Sequence, residues 1–233
     1  MQHFVFKLSI IQLPADGGPV YAETDLSGLI AEPWNAISSL ALIFPALYWG
    51  WKLRSHIKSY QFIFLCIPLL VLGGTGSVLY HAARTSAWLL YLDVLPTAFL
   101  TIVVSIYFWF KLLNRWFYVL IIILPFTFFR LYLLIFETSE FSVNLSYFIA
   151  GVVIFLPIWI YLARHSYQYA SSFVISVSCL ILSLLFRELD HWFAQWLPVG
   201  SHFLWHIISG IGAFYLAKYL FQLRSDELVS SKV

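Results

Sequence analysis

Charge is what this chain has least of. Asp, Glu, Lys and Arg make up 10% of its 233 residues, against roughly 25% in an ordinary soluble domain. That is too little to clothe a water-facing surface, and it excludes a disordered or freely soluble protein. Cysteine is scarce too. Cys66 and Cys179 both lie inside apolar runs, so a disulfide scaffold is excluded and the redox compartment stays open. A net charge of +2 is too small to hold a polyanion, which excludes a nucleic-acid binder. The first 14 residues carry one Lys and a short apolar stretch broken by Gln12 and Pro14. They lack the long apolar core and small-residue cleavage site of a signal peptide, and read as an amphipathic or loosely ordered lead-in.

What the chain does have is apolar length. Apolar residues reach 61% and aromatics 20%, with a mean hydropathy of +0.86, and such a surplus must face lipid. Seven stretches meet the requirement of about 20 apolar residues per membrane helix: 34–51, 60–80, 88–110, 116–136, 141–163, 170–186 and 202–222. Pro45, Pro125 and Pro157 fall within them, which bends a membrane helix without ending it. The fold predicted is all-α, a polytopic seven-helix transmembrane bundle, with an outer segment 1–33, a membrane domain 34–222 and a tail 223–233. Lys52, Arg54, Lys58, Lys111, Arg115, Arg164, Lys218, Arg224 and Lys232 gather on one side. Glu23, Asp25, Glu32, Glu137, Glu140, Glu188 and Asp190 gather on the other, with Lys7, Arg84 and Arg187. Positive charge stays cytoplasmic. The N-terminus is therefore expected outside or lumenal, and the C-terminus in the cytoplasm.

Ionisable groups inside spans are costly and mark function by default. The second span ends Gly73-Gly74-Thr75-Gly76-Ser77-Val78-Leu79-Tyr80-His81, with Ser77 and His81 four apart on one helix face. The third carries Asp93 about a turn and a half inside. The seventh opens with His202 and His206, again four apart. At about 1.5 Å rise per residue, Ser77, Asp93 and His206 lie on the order of 6–8 Å below the outer helix ends, with His81 and His202 roughly a turn above. Three imidazoles suit zinc with a fourth position left for water, and two His at this spacing reach one ion from a single face. Bound Zn²⁺ brings the pKa of its water toward about 7, and a carboxylate beside it can carry protons.

Blander readings compete. A lone His near a helix end is commonly an interfacial side chain, and a His pair four apart also arises by chance. Paired transmembrane His can ligate haem, which leaves Asp93 and Ser77 without a role. A lone carboxylate in a span, however, costs about 2.5–3.5 kcal/mol, so Asp93 demands a reason. Arg130 reads as a structural residue, snorkelling or pairing with Glu137, with a lipid-headgroup contact as the sharper alternative. Arg187, Glu188 and Asp190 resemble an interfacial ion network, and Asp190 could hold a ligating His in its tautomer. The Gly73–Gly76 run allows close helix packing. Trp34, Trp51, Trp88, Trp116, Trp192 and Trp196 sit where aromatic belts belong. His3, His56, His165 and His191 read as loop or interface residues.

Four stretches carry a family likeness: Ala31-Glu32-Pro33-Trp34-Asn35-Ala36-Ile37-Ser38-Ser39, Gly76-Ser77-Val78-Leu79-Tyr80-His81-Ala82, Leu92-Asp93-Val94-Leu95-Pro96 and His202-Phe203-Leu204-Trp205-His206-Ile207-Ile208-Ser209-Gly210. In this order and spacing the chain resembles the alkaline ceramidases, within the CREST superfamily of seven-helix membrane hydrolases. The Glu-Pro-Trp-Asn stretch points to that branch rather than the adiponectin-receptor-like one. The resemblance implies an integral, multi-pass membrane hydrolase of linear amides, with zinc held by His81, His202 and His206, Asp93 as proton carrier and Ser77 polar to the metal and the oxyanion. Its partner would be a membrane lipid, ceramide or another N-acyl lipid, reached from the periplasmic, extracellular or lumenal side. The resemblance also implies a calcium ion near the N-terminus. Glu23, Asp25 and Glu32 match that cluster, Val20 stands where the family has its first acidic ligand, and Asp16 is what a shifted loop would offer. An ordinary acidic outer loop is the other reading. Alternatives to ceramide hydrolysis are cleavage of another N-acyl lipid or ester, a receptor-like bundle with structural zinc, and haem-based electron transfer.

Overall fold

A computed structural model of the chain describes residues 13–136 and 140–231. Among them there is no strand. Nine α-helices follow one another: α1 (Pro33–Ser38), α2 (Leu40–Leu53), α3 (Gln61–Ala83), α4 (Ala87–Leu113), α5 (Trp116–Phe136), α6 (Glu140–Arg164), α7 (Ala170–Glu188), the short α8 (Asp190–Phe193) and α9 (His202–Ser230). Counting α1, α2 and the 3-10 turn after them as one, seven are long and apolar enough to cross a membrane. This matches the number and place of the seven apolar stretches in the sequence. The six interfacial Trp residues are all exposed on the bundle surface, as belt residues require.

Two boundaries differ from the sequence reading. The first span is interrupted at Ser39, where the chain leaves α1 and re-enters helix at Leu40. The last helix does not stop near 222 but runs to Ser230. Its added turns are held by polar ties to neighbouring elements: Arg224 donates to the Ser59 carbonyl at 2.8 Å, Asp226 accepts from Tyr169 at 2.8 Å, and Glu227 pairs with Lys111. Residues 223–230 are thus a helical extension rather than a separate tail.

Around the bundle, α2 packs between α3 and α9, α3 against α4, α4 against α5 and α6, and α7 against α9. Lipid offers no hydrophobic drive between helices, so close approach relies on small residues. A Cβ added to Gly76 would overlap the Leu92 carbonyl and the Asp93 amide of α4, and one on Gly210 would overlap the Ala41 carbonyl of α2. Those two crossings bring α3, α4, α2 and α9 together at one end. At the other, Trp49, Leu53, Ile63, Val104, Phe108, Ile158, Leu162, Phe173, Tyr219, Leu220 and Leu223 form the main apolar core. Residues 13–32 cross the polar end as irregular chain, tied to the last turn of α3 by Ala31 N to Ala82 O (3.0 Å) and Glu32 N to His81 O (3.1 Å).

Candidate metal centre

His81 closes α3, and His202 and His206 open α9, so the tight α3–α4 and α2–α9 crossings carry all three to one place. Each is buried. Their ring centroids are 4.8 Å (His81–His206), 5.2 Å (His81–His202) and 4.8 Å (His202–His206) apart. One ligand atom from each lies within 4.8 Å of the other two, a group able to hold a metal ion. The centre of a triangle with such sides is at most about 2.8 Å from each corner, against about 2.0–2.1 Å for a zinc–imidazole bond. Less than 1 Å of contraction per ligand, on the order of a side-chain adjustment, closes the shell.

Two rings have their protons placed by their neighbours. His81 Nδ1 donates to Glu32 Oε2 at 2.5 Å, which leaves Nε2 as the free lone pair. Ser38 gives its hydroxyl proton to the Asn35 carbonyl at 3.0 Å, so its oxygen accepts from His206 Nδ1 at 2.8 Å. That again frees Nε2. His202 is positioned differently: its ring stacks on Tyr21, centroids 3.7 Å apart, and its buried Nδ1 has no hydrogen-bond partner among the described residues. A buried imidazole nitrogen left unsatisfied is costly unless a ligand takes it up. Rings with oriented nitrogens and a buried orphan fit a borderline metal such as zinc.

Asp93 stands beside this group on α4. Its carboxyl faces the Ser77 hydroxyl and lies within electrostatic reach of His81. Ser77 Oγ also lies 3.0 Å from Ser39 Oγ, whose hydroxyl donates to the Asn35 carbonyl at 2.7 Å. All five residues singled out in the sequence therefore meet at one end of the bundle, with Ser38 of α1 and the Ser39 that follows it beside them.

Other assignments move. Asp190 does not touch an imidazole. It accepts from the backbone amides of Ala22 (2.7 Å), Ser201 (2.7 Å) and His202 (2.8 Å), capping the first turn of α9. Gly200, with φ of 68°, makes room for it, since a Cβ there would strike Asp190 Oδ1. Asp190 thus fixes the backbone of a candidate ligand, not its tautomer. Arg187 and Glu188 do form a network, bridged by Asn144 at 2.9 and 2.7 Å. Arg130 donates to Ser146 Oγ of α6 at 3.2 Å and lines a small cleft with Thr101 and Ser105, while Glu137, named as its partner, and His3 lie outside the described residues.

The acidic outer segment is not gathered into a calcium cage. Glu23 accepts from the amides of Trp34 (2.5 Å) and Asn35 (2.9 Å), capping α1. Asp25 accepts from Ser27 within its own turn, at 3.0 Å from the amide and 2.6 Å from the hydroxyl, and this holds its carboxyl below the ordinary range. Val20 offers only its carbonyl, which His191 Nε2 occupies at 2.9 Å. Glu32 is fully buried, with His81 on one oxygen and Arg84 and Thr24 on the other. Burial pushes the Glu32 carboxyl up, yet His81 and then Arg84 outweigh it and keep it ionised. Asp16 is held by Arg84 as well. As arranged, these donors do not fit a shared calcium ion, because each has its own protein partner.

Sequence reasoning missed Arg84, Ser38, Ser39, Tyr21 and the use of Glu32 on His81. The serines sit in a stretch that bears the family likeness, which was the available signal. Tyr21 and Arg84 had none, being placed by irregular chain. Comparison with curated proteins returns no match. The family model described as Ceramidase matches residues 23–232, which takes in the three histidines, Asp93, Ser77, Glu32, Ser38 and Ser39. The chain belongs to the Ceramidase family.

Proposed function

We propose that this protein is a zinc-dependent intramembrane amidase that hydrolyses ceramide to a sphingoid base and a fatty acid. The observation that carries the reading is the buried His81–His202–His206 trio with Asp93 and Ser77 beside it, in a chain of a family named for that hydrolysis. Zinc held by the three rings supplies an acidified water and a Lewis acid toward the carbonyl oxygen.

The remaining work falls to the chain's own side chains. Asp93 takes a proton from the water as its oxygen attacks the amide carbon, and returns it to the nitrogen as the C–N bond breaks. The products are a carboxylate and an amine. Ser77, whose hydroxyl bonds Asp93, can turn its proton toward the carbonyl oxygen as negative charge develops there. Glu32, Ser38 and Asp190 hold ligands in place and touch no reacting atom. The charge asymmetry of the loops supports a site that faces outside or a lumen, with the α9 extension in the cytoplasm. There the acyl chains can remain in lipid while the amide reaches the site near headgroup depth.

The test is metal analysis and amide hydrolysis on detergent-purified wild type and His206→Ala. Stoichiometric zinc with turnover in the first, and loss of both in the second, is the expected result. Turnover by metal-free wild type, or a variant that keeps its zinc and its rate, sinks the proposal. A panel of ceramides, other N-acyl amides and lipid esters separates ceramide from its chemical neighbours.

A further inference from the structure

Arg84 is the largest fully buried side chain among the described residues, and its charge is used entirely inside the protein. It follows α3 in a left-handed conformation, φ 51°, three residues past His81. Its guanidinium grips Asp16 as a fork, Nε to Oδ2 at 2.7 Å and Nη2 to Oδ1 at 3.1 Å. Nη1 bonds Glu32, Nη2 also donates to the Pro19 carbonyl at 2.8 Å, and the group lies 4.7 Å over the Tyr80 ring. Both carboxylate side chains are completely shielded from solvent. Two buried negative charges on an irregular segment are thus drawn to one positive charge at the end of α3. One of those carboxylates, Glu32, simultaneously orients His81.

A divalent ion bound to an outer acidic cluster would do the same things: neutralise carboxylates, order residues 13–32 and fix Glu32 next to His81. Here the cation is covalently part of the chain, and the acidic donors are engaged elsewhere. We infer that Arg84 is a built-in replacement for a structural divalent cation, which makes folding and hydrolysis by this protein independent of calcium. This inference rests on the proposed hydrolase reading only for its activity readout. Arg84 is a positioning residue: it acts through Glu32 on His81 and touches neither substrate nor metal.

The experiment compares wild type, Arg84→Lys and Arg84→Gln in detergent, with calcium added to calcium-free protein. Chelators are avoided because they also strip zinc. Melting temperature, zinc content and amide hydrolysis are read together. Wild type is expected to melt at the same temperature with and without calcium, and to retain none on elemental analysis. Arg84→Gln leaves Asp16 and Glu32 buried without their counter-charge, a large destabilisation, and should melt lower by on the order of 10 °C. Added calcium should restore much of that loss. Arg84→Lys keeps the charge without the fork, and should fall between the two and ignore calcium. A calcium-dependent rise in wild-type melting temperature, or stoichiometric calcium in it, overturns the inference. So does an Arg84→Gln protein that melts like wild type, or one whose loss calcium does not touch. If Arg84→Gln cannot be obtained folded, Asp16→Asn takes its place: a lowered melting temperature is expected, and an unchanged one overturns the inference. Melting and elemental analysis need no substrate, so a failure of the ceramidase reading leaves these outcomes intact.

Discussion

The two ends of the bundle are built on different physics. At the α9-extension end, Phe108 and Tyr219 stack 5.9 Å apart within a cluster of Trp49, Ile158, Leu162 and Phe173. Contacts there are many and individually small, so size and shape matter more than identity. At the histidine end the fully buried side chains include Glu32, Arg84, His81, His202, His206 and Asn35, with Tyr80 packed among them. Each needs a particular partner, because an unpaired buried polar group or charge is expensive. One end supplies stability through interchangeable packing; the other spends polar pairs on holding a few atoms in place.

Substitutions can break this contrast. Asp93→Asn should lower kcat by about 10²–10⁴-fold while leaving bound zinc unchanged, measured by turnover and elemental analysis on the same sample. Phe108→Ala should cost about 3–5 kcal/mol of stability, read as a lower melting temperature, with zinc affinity as in wild type. Were it to cut turnover of the folded protein as deeply as Asp93→Asn, the two ends would have to be one unit. Glu32→Gln should weaken zinc by about 10–100-fold in competition with a chromogenic chelator, and saturating zinc should recover most of the activity. Glu227→Gln, at the part-buried ion pairs with Lys111 and Arg224, should change stability by about 1 kcal/mol and leave turnover alone.

Legibility in the sequence followed the same division. The spans were readable because about 20 apolar residues leave few alternatives to a membrane helix, and their ends came within a few residues except where α9 ran on. Ser77, His81, Asp93, His202 and His206 were readable because helical rise turns sequence position into depth. Partners were not. Asp190, read as part of an ion network that could also hold a His, caps α9, and Glu32, read as a calcium match by resemblance or else as part of an acidic loop, bonds His81. Arg84 looked like one more loop charge. Residues 13–32 have no periodicity from which to project a face, so nothing in their order says which groups they cover.

By itself the sequence determined the number of helices able to span a membrane and how far from a helix end each ionisable residue lies, since both follow from apolar length and a constant rise per residue. Only the tertiary structure decided which carboxylate faces which cation. That choice depends on the glycine-permitted approach of α3 to α4 and of α9 to α2, and on how an irregular segment folds over the end those helices create.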